Sequence, residues 1–110
     1  MVLAQVYEPA VKLIEQLDPD YAAGEYVIQF AYMNDPSHFV KCHVDSGDVS
    51  FQYALTLGDF QGASLRAYTV ANKSAHIDFA GSGRIVQFDG RLPHEVVNDG
   101  FRGDRFTVIW

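Results

Sequence analysis

A mainly β fold behind one N-terminal helix is what this sequence predicts, on three observations. Apolar residues recur at helical spacing only near the start of the chain. After that they come in short β-branched and aromatic runs. Gly, Pro, Asn and Asp punctuate those runs as turn residues do.

Leu3, Val6, Tyr7, Ala10, Val11, Leu13, Ile14 and Leu17 fall on one helical face, so residues 3–17 are expected to form an amphipathic helix packed on a sheet. Asp18-Pro19-Asp20 should stop it. Strands are expected near 24–33, 38–43, 49–57, 63–69, 74–79, 84–89, 93–98 and 104–110. The turns between them are Asn34-Asp35-Pro36, Asp45-Ser46-Gly47-Asp48, Gly58-Asp59, Ala71-Asn72-Lys73, Gly81-Ser82-Gly83, Asp89-Gly90 and Asn98-Asp99-Gly100. About eight short strands over residues 24–110 suit a jelly roll, a double-stranded β-helix whose two sheets share a core and can enclose a site. No repeat, linker or low-complexity tract divides the sequence, so residues 1–110 are expected to be one minimal domain.

Composition narrows the function. A net charge of −6 argues against a polyanionic partner such as nucleic acid, although Arg84, Arg91, Arg102 and Arg105 leave room for a local basic patch. The single cysteine, Cys42, offers neither an internal disulfide nor a cysteine metal cluster, and is expected to be a packed small hydrophobe. No basic segment followed by a long apolar run opens the chain, and no apolar stretch is long enough to span a bilayer. A soluble, cytoplasmic protein is the expectation.

His43-Val44-Asp45, followed much later by His94 and Arg105, carries the chemistry. Two imidazoles and one carboxylate form the ligand set of a facial Fe(II) site that leaves coordination positions open. His43 and Asp45 are two apart, so on a strand both face the same side while Val44 points away. His76-Ile77-Asp78 is a second copy of the spacing, which makes the dipeptide pattern weak by itself. It lies mid-strand and close to His94, and both residues are expected to be ordinary strand positions. His38 is expected in a loop without a role.

Four stretches resemble the 2-oxoglutarate- and Fe(II)-dependent oxygenases, especially the prolyl-hydroxylase-like branch, from about Tyr26 to Trp110. His43-Val44-Asp45 precedes a loop and an apolar strand, as in that family. The run from Gly83 to Val96, with Pro93-His94-Glu95-Val96, is similar to its distal-histidine strand, and Arg105-Phe106-Thr107-Val108-Ile109-Trp110 to its final arginine strand. Gly58-Asp59-Phe60-Gln61-Gly62-Ala63-Ser64-Leu65 resembles a Gly-Gly-x-Leu segment in which Ala63 replaces the second glycine. The arginine departs from the usual spacing: Arg102 is nearer to His94 than in many relatives and Arg105 a little farther. The strand pattern after Arg105 favours Arg105.

The resemblance implies that His43, Asp45 and His94 bind Fe(II), and that 2-oxoglutarate and O₂ are co-substrates. Arg105 would pair with the far carboxylate of 2-oxoglutarate, with Tyr32 and Thr56 as further contacts. Both also fit ordinary sheet positions. Neutral imidazoles are required of the histidines, so metal binding should weaken in acid. The implied activity is hydroxylation of a C–H bond with release of succinate and CO₂, on a protein or peptide side chain such as proline, a lean that rests on analogy.

Other readings use the same residues differently. A jelly-roll binding module would keep the fold without catalysis, and a small metabolite would also fit an open mouth. A cupin would be expected to show two histidines on one strand, where this chain has His43 and Asp45. A nucleic-acid dealkylating enzyme would want a base-gripping lid and a basic groove. Open sheet edges allow a homodimer, and a chain this short is also compatible with a catalytic core cut from a longer one.

Overall fold

The computed structural model describes residues 2–35, 41–45, 47 and 50–110. Helix α1 spans Val2–Leu17, and a one-turn helix α2 follows at Pro19–Ala22. Seven strands come next among the described residues: β1 Gln29–Met33, β2 Gln52–Leu57, β3 Phe60–Tyr68, β4 His76–Ala80, β5 Arg84–Phe88, β6 His94–Gly103 and β7 Arg105–Ile109. The chain is therefore mainly β, with its helical part at the N-terminal end. No helix among the described residues is long and apolar enough to cross a membrane.

All the strand pairs are antiparallel and form two sheets, ordered β1-β7-β2-β5 and β4-β3-β6. Alternation along each strand sorts the side chains. Ala54, Ala67 and Phe88 form one buried cluster between the sheets, joined by Leu65, Phe79, Val86 and Ile109. Met33, Ala63, Val96 and Phe101 form a second, with Phe60 against it. The outer face of the four-stranded sheet is covered instead by α1, where Ala10 and Ile14 pack on Val108 and Trp110. Trp110 fixes this docking by donating its indole N–H to the Ala10 carbonyl at 2.9 Å.

Several boundaries differ from those expected, each for a local reason. Asp18 ends α1 but also starts α2, because its carboxylate accepts the Tyr21 amide and Pro19 is preset for a first helical position. β1 is shorter than residues 24–33. Half of the strand expected at 38–43, including His38, lies outside the described residues. From it, His43 makes an isolated antiparallel bridge to His94.

Asn98-Asp99-Gly100 does not end β6. The register between β3 and β6 shifts between Gln61 and Ala63, so the extra residues are absorbed as a bulge and pairing resumes at Arg102 and Gly103. Gly62 makes this possible with φ +78°, and a Cβ there would lie 2.4 Å from the Asp99 carbonyl oxygen.

Candidate metal centre

The β-bridge is what assembles the site. His43 and His94 exchange both backbone hydrogen bonds, at 3.0 and 2.9 Å, and the Asp45 amide then donates to the Gly90 carbonyl at 2.8 Å. The short segment carrying His43 and Asp45 is thereby clamped beside the turn that leads into β6. That turn is itself held by Asp89, which accepts from the amide and guanidinium of Arg91. The bonds from Arg91 keep the Asp89 carboxyl below its ordinary pKa.

The two imidazole rings lie with centroids 4.3 Å apart, and Phe88 meets the His94 ring edge-on at 5.1 Å. His43 Nε2 is 3.4 Å from Asp45 Oδ1, and His94 Nε2 is 3.3 Å from Asp45 Oδ2. Cis ligands each about 2.1 Å from one metal lie about 3 Å from each other, so these separations need little closure. The ligand atoms of all three residues lie within 4.8 Å of one another, and together they can hold a metal ion.

The far sides of the rings strengthen this assignment. His43 Nδ1 donates to the Lys41 carbonyl at 2.8 Å, and His94 Nδ1 donates to the Leu92 carbonyl at 2.9 Å. A carbonyl can only accept, so in the neutral ring the proton sits on Nδ1 and the Nε2 lone pair faces Asp45. Both rings are thus held in the tautomer that a metal needs. Asp45 is oriented in turn by Gln52, whose amide donates to Oδ2 at 2.6 Å. His94 is buried, while His43 is exposed and Asp45 partly so, which leaves the centre open on one side.

Arg105 and Thr107 lie deeper between the sheets. They are two apart on β7, share the inner face with Ile109, and are both buried. Arg105 is only 7% exposed and its guanidinium carbon sits 5.8 Å above the Phe60 ring. Its Nε has no hydrogen-bond partner, and among the described residues no carboxylate pairs with it. Burial pushes its pKa down. The Thr107 hydroxyl is equally without a partner, and Thr56 lies directly across from it on β2. A lone buried guanidinium costs several kcal/mol in the absence of an anion. The chemistry of this pair of donors fits a carboxylate.

The other expected residues divide. Thr56 is half-buried on the inner face beside Thr107. Tyr32 is not brought there. Its register partner is Phe106, so it stands on the opposite face from Met33 and Arg105. It is exposed, stacks on Phe106 and donates its hydroxyl to Asp104. Parity decides this: one residue along a strand reverses the side chain. Arg102 is exposed and bonds Gln61. With Arg91 on Asp89 and Arg105 buried, the four arginines do not form a basic patch. In the second His-x-Asp copy, Asp78 takes a two-pronged bond from Arg66 and both residues are exposed, opposite in parity to the core residue Phe79. Cys42 is a half-buried free thiol.

Gln52 and Thr107 were not anticipated. Each is legible afterwards as a two-residue step: Gln52 is in phase with Thr56 on β2, and Thr107 with Arg105 on β7.

Fold and site together define a mainly β domain of two antiparallel sheets with a candidate His-Asp-His metal centre. No family model matches the chain, and neither a curated protein nor a solved structure matches it.

Proposed function

We propose that this chain is a minimal Fe(II)- and 2-oxoglutarate-dependent oxygenase that hydroxylates a C–H bond, with a protein or peptide side chain as the favoured substrate. The observation that carries the proposal is an open His43-Asp45-His94 centre in a fold that also buries Arg105 with no carboxylate partner among the described residues. A metal-binding module needs the first and has no use for the second.

The topology supports the same reading. The sheets run β1-β7-β2-β5 and β4-β3-β6, and the His43 bridge lies on the β6 edge of the smaller one. Adding the His43 segment as a strand there gives two four-stranded sheets in the strand order of a double-stranded β-helix.

Fe(II), if bound here with 2-oxoglutarate and O₂, would supply the oxidising chemistry for C–H hydroxylation coupled to formation of succinate and CO₂. The chain's residues would do the rest. His43, His94 and Asp45 would hold the metal. Leu92 and Lys41 carbonyls keep both imidazoles oriented, and Gln52 keeps the carboxylate turned inward. Arg105 neutralises the far carboxylate of the co-substrate, and the Thr107 and Thr56 hydroxyls lie on the same face for hydrogen bonding. Phe88, Val86 and Leu65 shield the interior from water.

The test is anaerobic titration of apo-protein with Fe(II) and then 2-oxoglutarate, with His94→Ala alongside. A visible metal-to-ligand charge-transfer band in the wild type alone is expected. A folded, metal-loaded wild type that gives no band overturns the oxygenase reading in favour of a metal-binding module.

A further inference from the structure

A broad cleft runs between α1, the chain leading into β1, and the start of β2. Its walls include Tyr7, Tyr21, Tyr26, Phe51, Glu25 and Asp45. Tyr21 is the hub of an aromatic cluster: its ring lies 5.8 Å from Tyr26, 5.6 Å from Phe51 in a stacked pair, and 5.2 Å from Tyr53 edge-on. Tyr7 and Glu25 are exposed beside it.

Charge gives the cleft a sign. Glu25 and Asp45 are its charged lining residues, and no lysine or arginine is among the described residues of its walls. The surrounding segment is acidic too: residues 1–30 hold Glu8, Glu15, Asp18, Asp20 and Glu25 against Lys12 alone. Asp18 accepts the Tyr53 hydroxyl at 2.6 Å. Burial raises the Tyr26 phenol above its ordinary pKa, with Tyr7 and Glu15 adding to the effect, so that ring stays neutral and presents its π face. Aromatic faces backed by carboxylates attract cations, and a lysine stem can also lie along the rings.

We infer that this cleft binds an extended polypeptide segment and seats a lysine side chain against Tyr7, Tyr21 and Glu25. The cleft draws its walls from α1, the chain leading into β1, the start of β2, and Ile109 and Trp110, which is more than a free small cation needs. Glu25 disfavours an acidic peptide. Naming this segment as the substrate rests on the oxygenase reading, because Asp45 and Gln52 belong to both the cleft and the metal centre.

The experiment is fluorescence anisotropy with the full chain, metal-free, and a labelled glycine-rich peptide carrying one central lysine. Its twin carries Nε-acetyl-lysine, which removes the charge and little else. The unmodified peptide is expected to bind about tenfold more tightly than its twin. Glu25→Lys should weaken binding several-fold, while Asp99→Lys, the same charge change on β6 of the other sheet, should leave it within about twofold.

Equal affinity for the two peptides overturns the inference. So does equal weakening by Asp99→Lys, which would mean attraction by net charge alone. Competition by free lysine amide at the peptide's own Kd would also overturn it, in favour of a small cation. The two proposals fail separately. Lysine-dependent binding without a charge-transfer band supports the cleft and removes the oxygenase; a band without peptide binding does the reverse.

Discussion

His43 and His94 are paired through their backbones and aimed through their rings at one carboxylate, Asp45. Because the bridge fixes the two Cα atoms and the Nδ1 bonds fix the rings, little ordering is left for a metal to impose. That relationship makes the supporting residues testable as well as the ligands.

Gln52 is the first of these. Gln52→Ala frees Asp45 Oδ2 from its amide donor without removing a ligand. Metal affinity should fall about 10- to 100-fold, against loss of the site in His94→Ala. Competition titration with a chromophoric chelator reads both. Unchanged affinity in Gln52→Ala would remove its orienting role.

Arg105→Met separates ligand binding from stability. Without co-substrate, the variant should melt at or above the wild-type temperature, since a buried charge with no carboxylate partner among the described residues is replaced by an apolar stem of similar length. With metal and 2-oxoglutarate at a hundred times its Kd, the wild type should gain about 2.7 kcal/mol and the variant far less. Differential scanning fluorimetry gives both values. A variant that gains as much as the wild type would place the carboxylate elsewhere.

The Tyr53–Asp18 bond predicts a pH window. The Tyr53 hydroxyl is the main cause of the lowered Asp18 pKa, and Asp18 is the main cause of the raised Tyr53 pKa. A lowered carboxyl contributes stability above its ordinary value, about 3.9, that is lost as pH falls through the folded value. A raised phenol contributes stability below its ordinary value, about 10, that is lost as pH rises through the folded value. The melting difference between wild type and Tyr53→Phe should therefore be flat across neutral pH and shrink at both extremes. A difference that grows toward either extreme would contradict the pairing.

Gly62→Ala tests the bulge. It combines an unfavourable positive φ with a collision against the Asp99 carbonyl, and should cost about 3 kcal/mol. Urea denaturation measures it. A cost under about 1 kcal/mol would mean that β3 and β6 re-register freely.

What the sequence revealed and what it hid follow from the same alternation rule. The His43-x-Asp45 step is readable because two residues along a strand return to the same face, and the structure brings the two side chains within 3.4 Å although only His43 pairs, as an isolated bridge. Spacing from His43 cannot say on which face Tyr32 stands. Only its pairing with Phe106, one step out of phase with Arg105, reveals that it points outward. Asn98-Asp99-Gly100 has turn chemistry and is used for a bulge, because a partner strand with Gly62 in the matching place lets pairing continue. Gln52 and Thr107 were hidden for a different reason. Neither residue type signals a site until the neighbour it serves has been placed.

The Trp110–Ala10 bond joins positions a hundred residues apart in the chain. Helix α1 is made well before its cover, because the surface against Ala10 and Ile14 is completed by Val108 and Trp110. A nascent chain would carry that apolar face uncovered until β7 is translated, the period in which sticky intermediates meet chaperones or one another. The order of translation runs against the order of packing, so the yield in a cell should depend on how soon β7 follows α1 out of the ribosome.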